Sequence, residues 1–186
     1  MPHTRWYWGA VVRVDGVADA LRDVARAAGD ADGVRVQDPR TGHITLFYAP
    51  LRSRSAAPEI AERARSAVGG IAPFDLRLSG FGEFASPTRP VAWLAVAEGG
   101  AGLEQLRTAL CACDRDCHNH PFTPHLTLAY GEDAAQYALA RDAVRATADA
   151  VDLRLRVDAV WIAGFPQSGH PARDLRYAER VPLGDA

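Results

Sequence analysis

Gly42-His43-Ile44-Thr45-Leu46-Phe47-Tyr48 and Pro124-His125-Leu126-Thr127-Leu128-Ala129-Tyr130 share one pattern: His, aliphatic, Thr, Leu, any residue, Tyr. The second copy stands 82 positions after the first. Self-similarity at such a distance constrains architecture before any element boundary is refined. Each copy is followed by a segment of helical period, and each of those by a strand that opens Asp-Leu-Arg-Leu, at 75–78 and at 152–155. Upstream, the apolar run at 6–14 and its helix correspond to the run at 91–97 and its helix. The chain therefore reads as two halves of similar plan, related by a pseudo-two-fold axis, forming one domain over residues 1–186 with no loose linker.

Alternation of period 2 marks strand candidates at 6–14, 34–37, 43–50, 74–84, 91–97, 125–130, 151–165 and 176–183. Period 3.6 marks helices at 17–28, 57–68, 103–113 and 134–148, with Asp133 as a cap for the last. The class is α+β. Because side chains alternate faces along a strand, His43 and Thr45 project together, as do His125 and Thr127. If the apolar sides enter the two lobe cores, two imidazoles and two hydroxyls meet in one cleft.

Such a set suits a tetrahedral anion near neutral pH. One imidazole can be neutral and take a proton while the other is charged and gives one. Threonine hydroxyls can donate to oxygens on which charge develops. No metal or other cofactor is called for. Phe47 continues the alternation of His43 and Thr45, so it either stacks on a base or packs at the strand end; Phe122, just before the second motif, is a further stacking candidate.

Composition narrows the partner. Of 186 residues, 48% are hydrophobic and 24% charged, which excludes a disordered or collagen-like chain. Twenty-one basic against 23 acidic residues leave a formal charge of −2, so no global basic field exists to hold a long duplex. Every basic residue is Arg, and the absence of Lys removes Schiff-base and P-loop chemistry. The longest apolar runs fall far short of the ~20 residues that span a bilayer, so the expectation is a cytoplasmic protein without a membrane segment. Three cysteines, an odd number confined to Cys111, Cys113 and Cys117, are a poor disulfide framework and fit a reducing compartment. With His118 and His120 they pack five potential metal ligands into ten positions, but not at zinc-knuckle spacing, and no metal site is expected. His170, in the loop 168–171, is either a surface residue or part of a substrate gate with Arg173.

Gly-His43-Ile-Thr45-Leu and Pro-Phe-Thr-Pro-His125-Leu-Thr127-Leu resemble the paired motifs of the 2H phosphoesterase superfamily, in its branch of bacterial RNA 2′,3′-cyclic phosphodiesterases, also called 2′-5′ RNA ligases. The likeness continues through 74–84, 91–96, the following helix, Pro121-Phe122 and the C-terminal hairpin. It implies a bilobal fold of two antiparallel sheets with flanking helices around a central cleft. The implied reaction is metal-independent opening of a 2′,3′-cyclic phosphate, on an RNA 3′ end or a small nucleotide, to a 2′-phosphate, with weak 2′-5′ ligation as its reverse. Carried over by motif position, His43 and His125 become the acid/base pair, with His125 activating water, and Thr45 and Thr127 the phosphate ligands. Tyr130 stands where many relatives carry Arg, at a substrate-facing position. A monomer is expected. The competing class is a module that binds a nucleotide or RNA end in the same cleft without turnover.

Overall fold

A computed structural model describes residues 5–29, 33–49, 51–113 and 121–184. The strands are β1 (Arg5–Arg13), β2 (Val34–Val36), β3 (His43–Tyr48), β4 (Arg52–Ser53), β5 (Phe74–Phe84), β6 (Val91–Glu98), β7 (His125–Gly131), β8 (Asp152–Val157), β9 (Ala159–Pro166) and β10 (Arg176–Pro182). The helices are α1 (Ala18–Ala28), α2 (Ala57–Val68), α3 (Gly100–Cys113), α4 (Ala134–Asp149) and the single turn α5 (Pro171–Asp174). Asp133 caps α4, its carboxylate accepting from the Gln136 N–H at 2.8 Å; such a cap contributes about 1 kcal/mol. None of these helices is long and apolar enough to cross a membrane.

All ten strands form one antiparallel sheet in the order β10-β9-β1-β3-β7-β6-β5-β8, with β2 on β7 and β4 on β1. The expected pair of sheets is therefore joined into one. The join is narrow: β3 meets β7 through the single pair Ile44 and Leu126. The strand expected over 151–165 is two strands, because at Asp158 the chain leaves β8, which pairs with β5, and enters β9, which pairs with β1.

This crossing corrects the assignment of the Asp-Leu-Arg-Leu stretches. They are hydrogen-bonded neighbours, Leu76 opposite Leu155 and Arg77 opposite Arg154, rather than equivalents in separate lobes. By position in the sheet the counterpart of β5 is β9. Each sits beside the first strand of the other repeat, β5 on β6 and β9 on β1. The helices mix in the same way, α1 packing on α4 and α2 on α3. Leu21, Val24 and Ala28 of α1, at helical spacing, enter a core that also takes Ile44, Leu46, Leu94, Leu126, Leu128 and Val144.

Candidate active site

Ile44 and Leu126 are fully buried on one face of the seam. Extending that antiparallel pairing by one residue in each direction sets His43 against Thr127 and Thr45 against His125, on the other face. Opposed side chains in such a ladder start only ~4.5–5.5 Å apart. The four polar residues of the two motifs thus form one cluster across the join, each imidazole beside the threonine of the other motif.

Both rings are held alike. His43 Nδ1 lies 2.7 Å from the Thr41 carbonyl, and His125 Nδ1 lies 2.7 Å from the Thr123 carbonyl. A carbonyl only accepts, so each Nδ1 carries the hydrogen and each Nε2 is the basic nitrogen of the neutral ring. The Thr41 carbonyl is itself anchored by Gln37 Nε2 at 3.0 Å, and Gln37 also reaches Thr41 Oγ1 at 2.9 Å. Gln37, Thr41, His43 and Thr127 are the buried polar side chains among the described residues, so the interior's polar content is concentrated at this site. Burial pulls the His43 pKa down to about 4, against the pull of the Thr41 carbonyl, and the nearby His125 charge adds to the lowering. Burial likewise lowers His125.

Both motif strands carry a β-bulge at the leucine after the threonine. Pairing with β1 skips Leu46, and pairing with β6 skips Leu128. One extra residue reverses the facing of everything beyond it. Tyr48 and Tyr130 consequently join the threonine face, Tyr48 close to Thr45 with its hydroxyl 3.5 Å from His43 Nε2, and Tyr130 close to Thr127. Phe47, 7% exposed, packs into the core, so the alternation expected of it is broken, and it still lines the cavity beside the cluster. Gly9, opposite Tyr48, makes the bulge possible: a Cβ there would stand 2.3 Å from the Phe47 carbonyl oxygen.

A cavity of about 370 Å³ opens beside the cluster, lined by Thr45, Tyr48, Phe84, Arg107, Phe122 and His125 among others, a size that suits a small ligand. Phe84 is exposed, and its ring meets His125 edge-on at 4.9 Å, while Trp93 lies 5.6 Å from the same imidazole. Phe122 is in the lining, with the Arg107 guanidinium over its ring at 4.8 Å. Arg107 also donates to the Leu46 carbonyl, at the bulge, at 2.9 Å. Sequence reasoning misses Gln37, Thr41, Tyr48, Phe84, Trp93 and Arg107. The one local signal was a threonine two residues before each histidine.

The sequence of residues 12–165 matches the model of the 2′-5′ RNA ligase superfamily. The chain belongs to that superfamily. Membership makes it a protein of phosphoester chemistry of the kind practised on RNA ends. No curated protein matches the sequence. Among solved structures, TT0787 of Thermus thermophilus is 21% identical, covering 97% of this chain and 98% of that one at a TM-score of 0.66. E. coli LigT in apo form is 18% identical over 98% and 99% at 0.65, and LigT complexed with 3′-AMP is 19% identical over 96% and 98% at 0.66. These likenesses reproduce the superfamily fold along nearly the whole chain.

Two other expectations meet the structure. Cys111 is disulfide-bonded, against the expectation of a poor disulfide framework in a reducing compartment. Cys117, His118 and His120, and the Cys113 side chain, lie outside the described residues. His170 caps α5, its Nδ1 accepting from the Ala172 N–H at 3.1 Å.

Proposed function

We propose that this superfamily member hydrolyses 2′,3′-cyclic phosphate ends of RNA or nucleotides to 2′-phosphates without a metal. The observation that carries the reading is the matched pair of imidazoles, each with Nδ1 tied to a carbonyl at 2.7 Å and each beside a threonine. A water oxygen attacks phosphorus and the P–O3′ bond breaks, leaving a 2′-phosphomonoester and a 3′-hydroxyl. His125, which lines the open cavity where water enters, takes the water proton; His43 gives one to the departing O3′. Both rings are neutral when the site is empty, and the anionic cyclic phosphate itself draws the required proton onto the acid. Thr45 and Thr127 donate to the non-bridging oxygens. Phe122 and Phe84 offer ring faces for the base, Phe47 backs that wall from the core, and Tyr130 orients Thr127. LigT was solved with 3′-AMP and with phosphate, ligands of the same chemical kind.

³¹P NMR of a nucleoside 2′,3′-cyclic phosphate and a cyclic-ended RNA in excess EDTA tests this. A 2′-phosphomonoester is expected from wild type, with turnover at least ~10²-fold lower in His43→Ala and His125→Ala. Cyclic phosphate that binds yet persists would favour a binding module instead.

A further inference from the structure

Beyond Thr127, the same face of β7 runs into a second cavity, of about 350 Å³, lined by Arg35, Arg89, Tyr130, Glu132 and His170. Tyr130 is at its centre: Arg35 of β2 is its direct ladder partner on one side and Val91 of β6 on the other. Arg89 enters two residues before Val91, and the His170 ring stands edge-on to Tyr130 at 4.7 Å. With its Nδ1 accepting from Ala172, neutral His170 carries its hydrogen on Nε2 and is a donor. Arg35 is ion-paired with Glu132, whereas exposed Arg89 has no ion pair among the described residues. Two guanidiniums face one carboxylate, so the cavity is net positive on a protein whose formal charge is −2.

We propose that this cavity binds a backbone phosphodiester of an RNA strand whose 3′-terminal phosphate sits between His43 and His125. The proposal rests on the cyclic-phosphate reading and deepens it, because it makes an RNA end, rather than a mononucleotide, the better substrate. Guanidinium forks match phosphate oxygens in geometry as well as charge. A strand ending in a 2′,3′-cyclic phosphate can continue only in the 5′ direction, and from Thr127 to Tyr130 three residues cover ~10 Å, the reach of the first upstream phosphodiesters. With no global field to hold RNA, a local anion site must do so.

The experiment compares kcat/KM for a cyclic-ended RNA hexamer and a nucleoside 2′,3′-cyclic phosphate in wild type, Arg89→Ala and Arg63→Ala, the last an equal charge loss on α2. Wild type should prefer the hexamer, Arg89→Ala should lower that preference roughly ten-fold through KM, the loss expected of one charge-assisted contact, and Arg63→Ala should retain it. Equal losses on both substrates, or the same drop in Arg63→Ala, overturn the proposal. If neither substrate turns over, the catalytic reading fails and binding decides. Anisotropy of the fluorescein-labelled hexamer should then give a salt slope about 0.7 shallower in Arg89→Ala, and an unchanged slope overturns the subsite.

Discussion

Burial of His43 makes the folded state intolerant of acid. In the unfolded chain the imidazole takes its proton near 6.5; in the fold it resists until about 4. Protons therefore bind the unfolded state first, and the stabilisation present above pH 6.5 is lost as pH falls toward 4, by about 3 kcal/mol at ~1.4 kcal/mol per unit. His43→Asn, whose amide can still donate to the Thr41 carbonyl, should lose that much less between pH 7 and 4 than wild type in urea titrations. Equal acid sensitivity of the two proteins would show the ring is not shielded. The facing of the two histidines and two threonines is legible in the sequence, because the pattern is local and the strand period is 2. Gln37 and Arg107 are not, since Gln37 acts through a turn that returns it to the Thr41 carbonyl and Arg107 through the Leu46 carbonyl 61 positions away, and neither relation shows as a repeat in the sequence.

At the scale of elements, the paired bulges do the most. They bring Tyr48 and Tyr130 to the threonine face and seat Phe47 in the core at the edge of the cavity, so a strict period-2 reading misses the facing of Phe47. A second close approach supports the aromatic wall: the Trp93 ring lies over Gly82 of β5, where a Cβ would stand 2.2–2.4 Å from ring carbons. Gly82→Ala should push the indole outward, destabilise by ~1–3 kcal/mol as overpacking does, and lower turnover further than stability explains, because Trp93 touches His125. Adding Trp93→Phe should recover part of the loss; a stability change under ~0.5 kcal/mol would show that the ring moves freely. The four longer helices are legible, being set by apolar stripes and by one cap, whereas α5 is not, because four residues are too few to show a helical period. The sheet switch at Asp158 is not, because an apolar run carries no mark of which neighbour its strand will take.

For the whole molecule, the sequence repeat conceals how the strands are shared, because β5 lies on β6 and β9 on β1. An exchanged strand ties each half to the other's chain segment, so the protein should unfold in one cooperative step, with far-UV circular dichroism and tryptophan fluorescence giving coincident urea transitions. Separate transitions would mean that the halves are independent. A fragment ending at Ser86 should fail to fold alone, having β5 without β6 or β8, and β1 without β9. The same exchange sets a schedule for synthesis. β1 leaves the ribosome first, yet its partner β9 ends at Pro166, opposite Trp6. At ~5–20 residues per second, roughly ten seconds or more pass before that strand exists. Until then β1 waits with one edge open, and the nascent chain carries His43 through most of those residues before the sheet around the seam is complete.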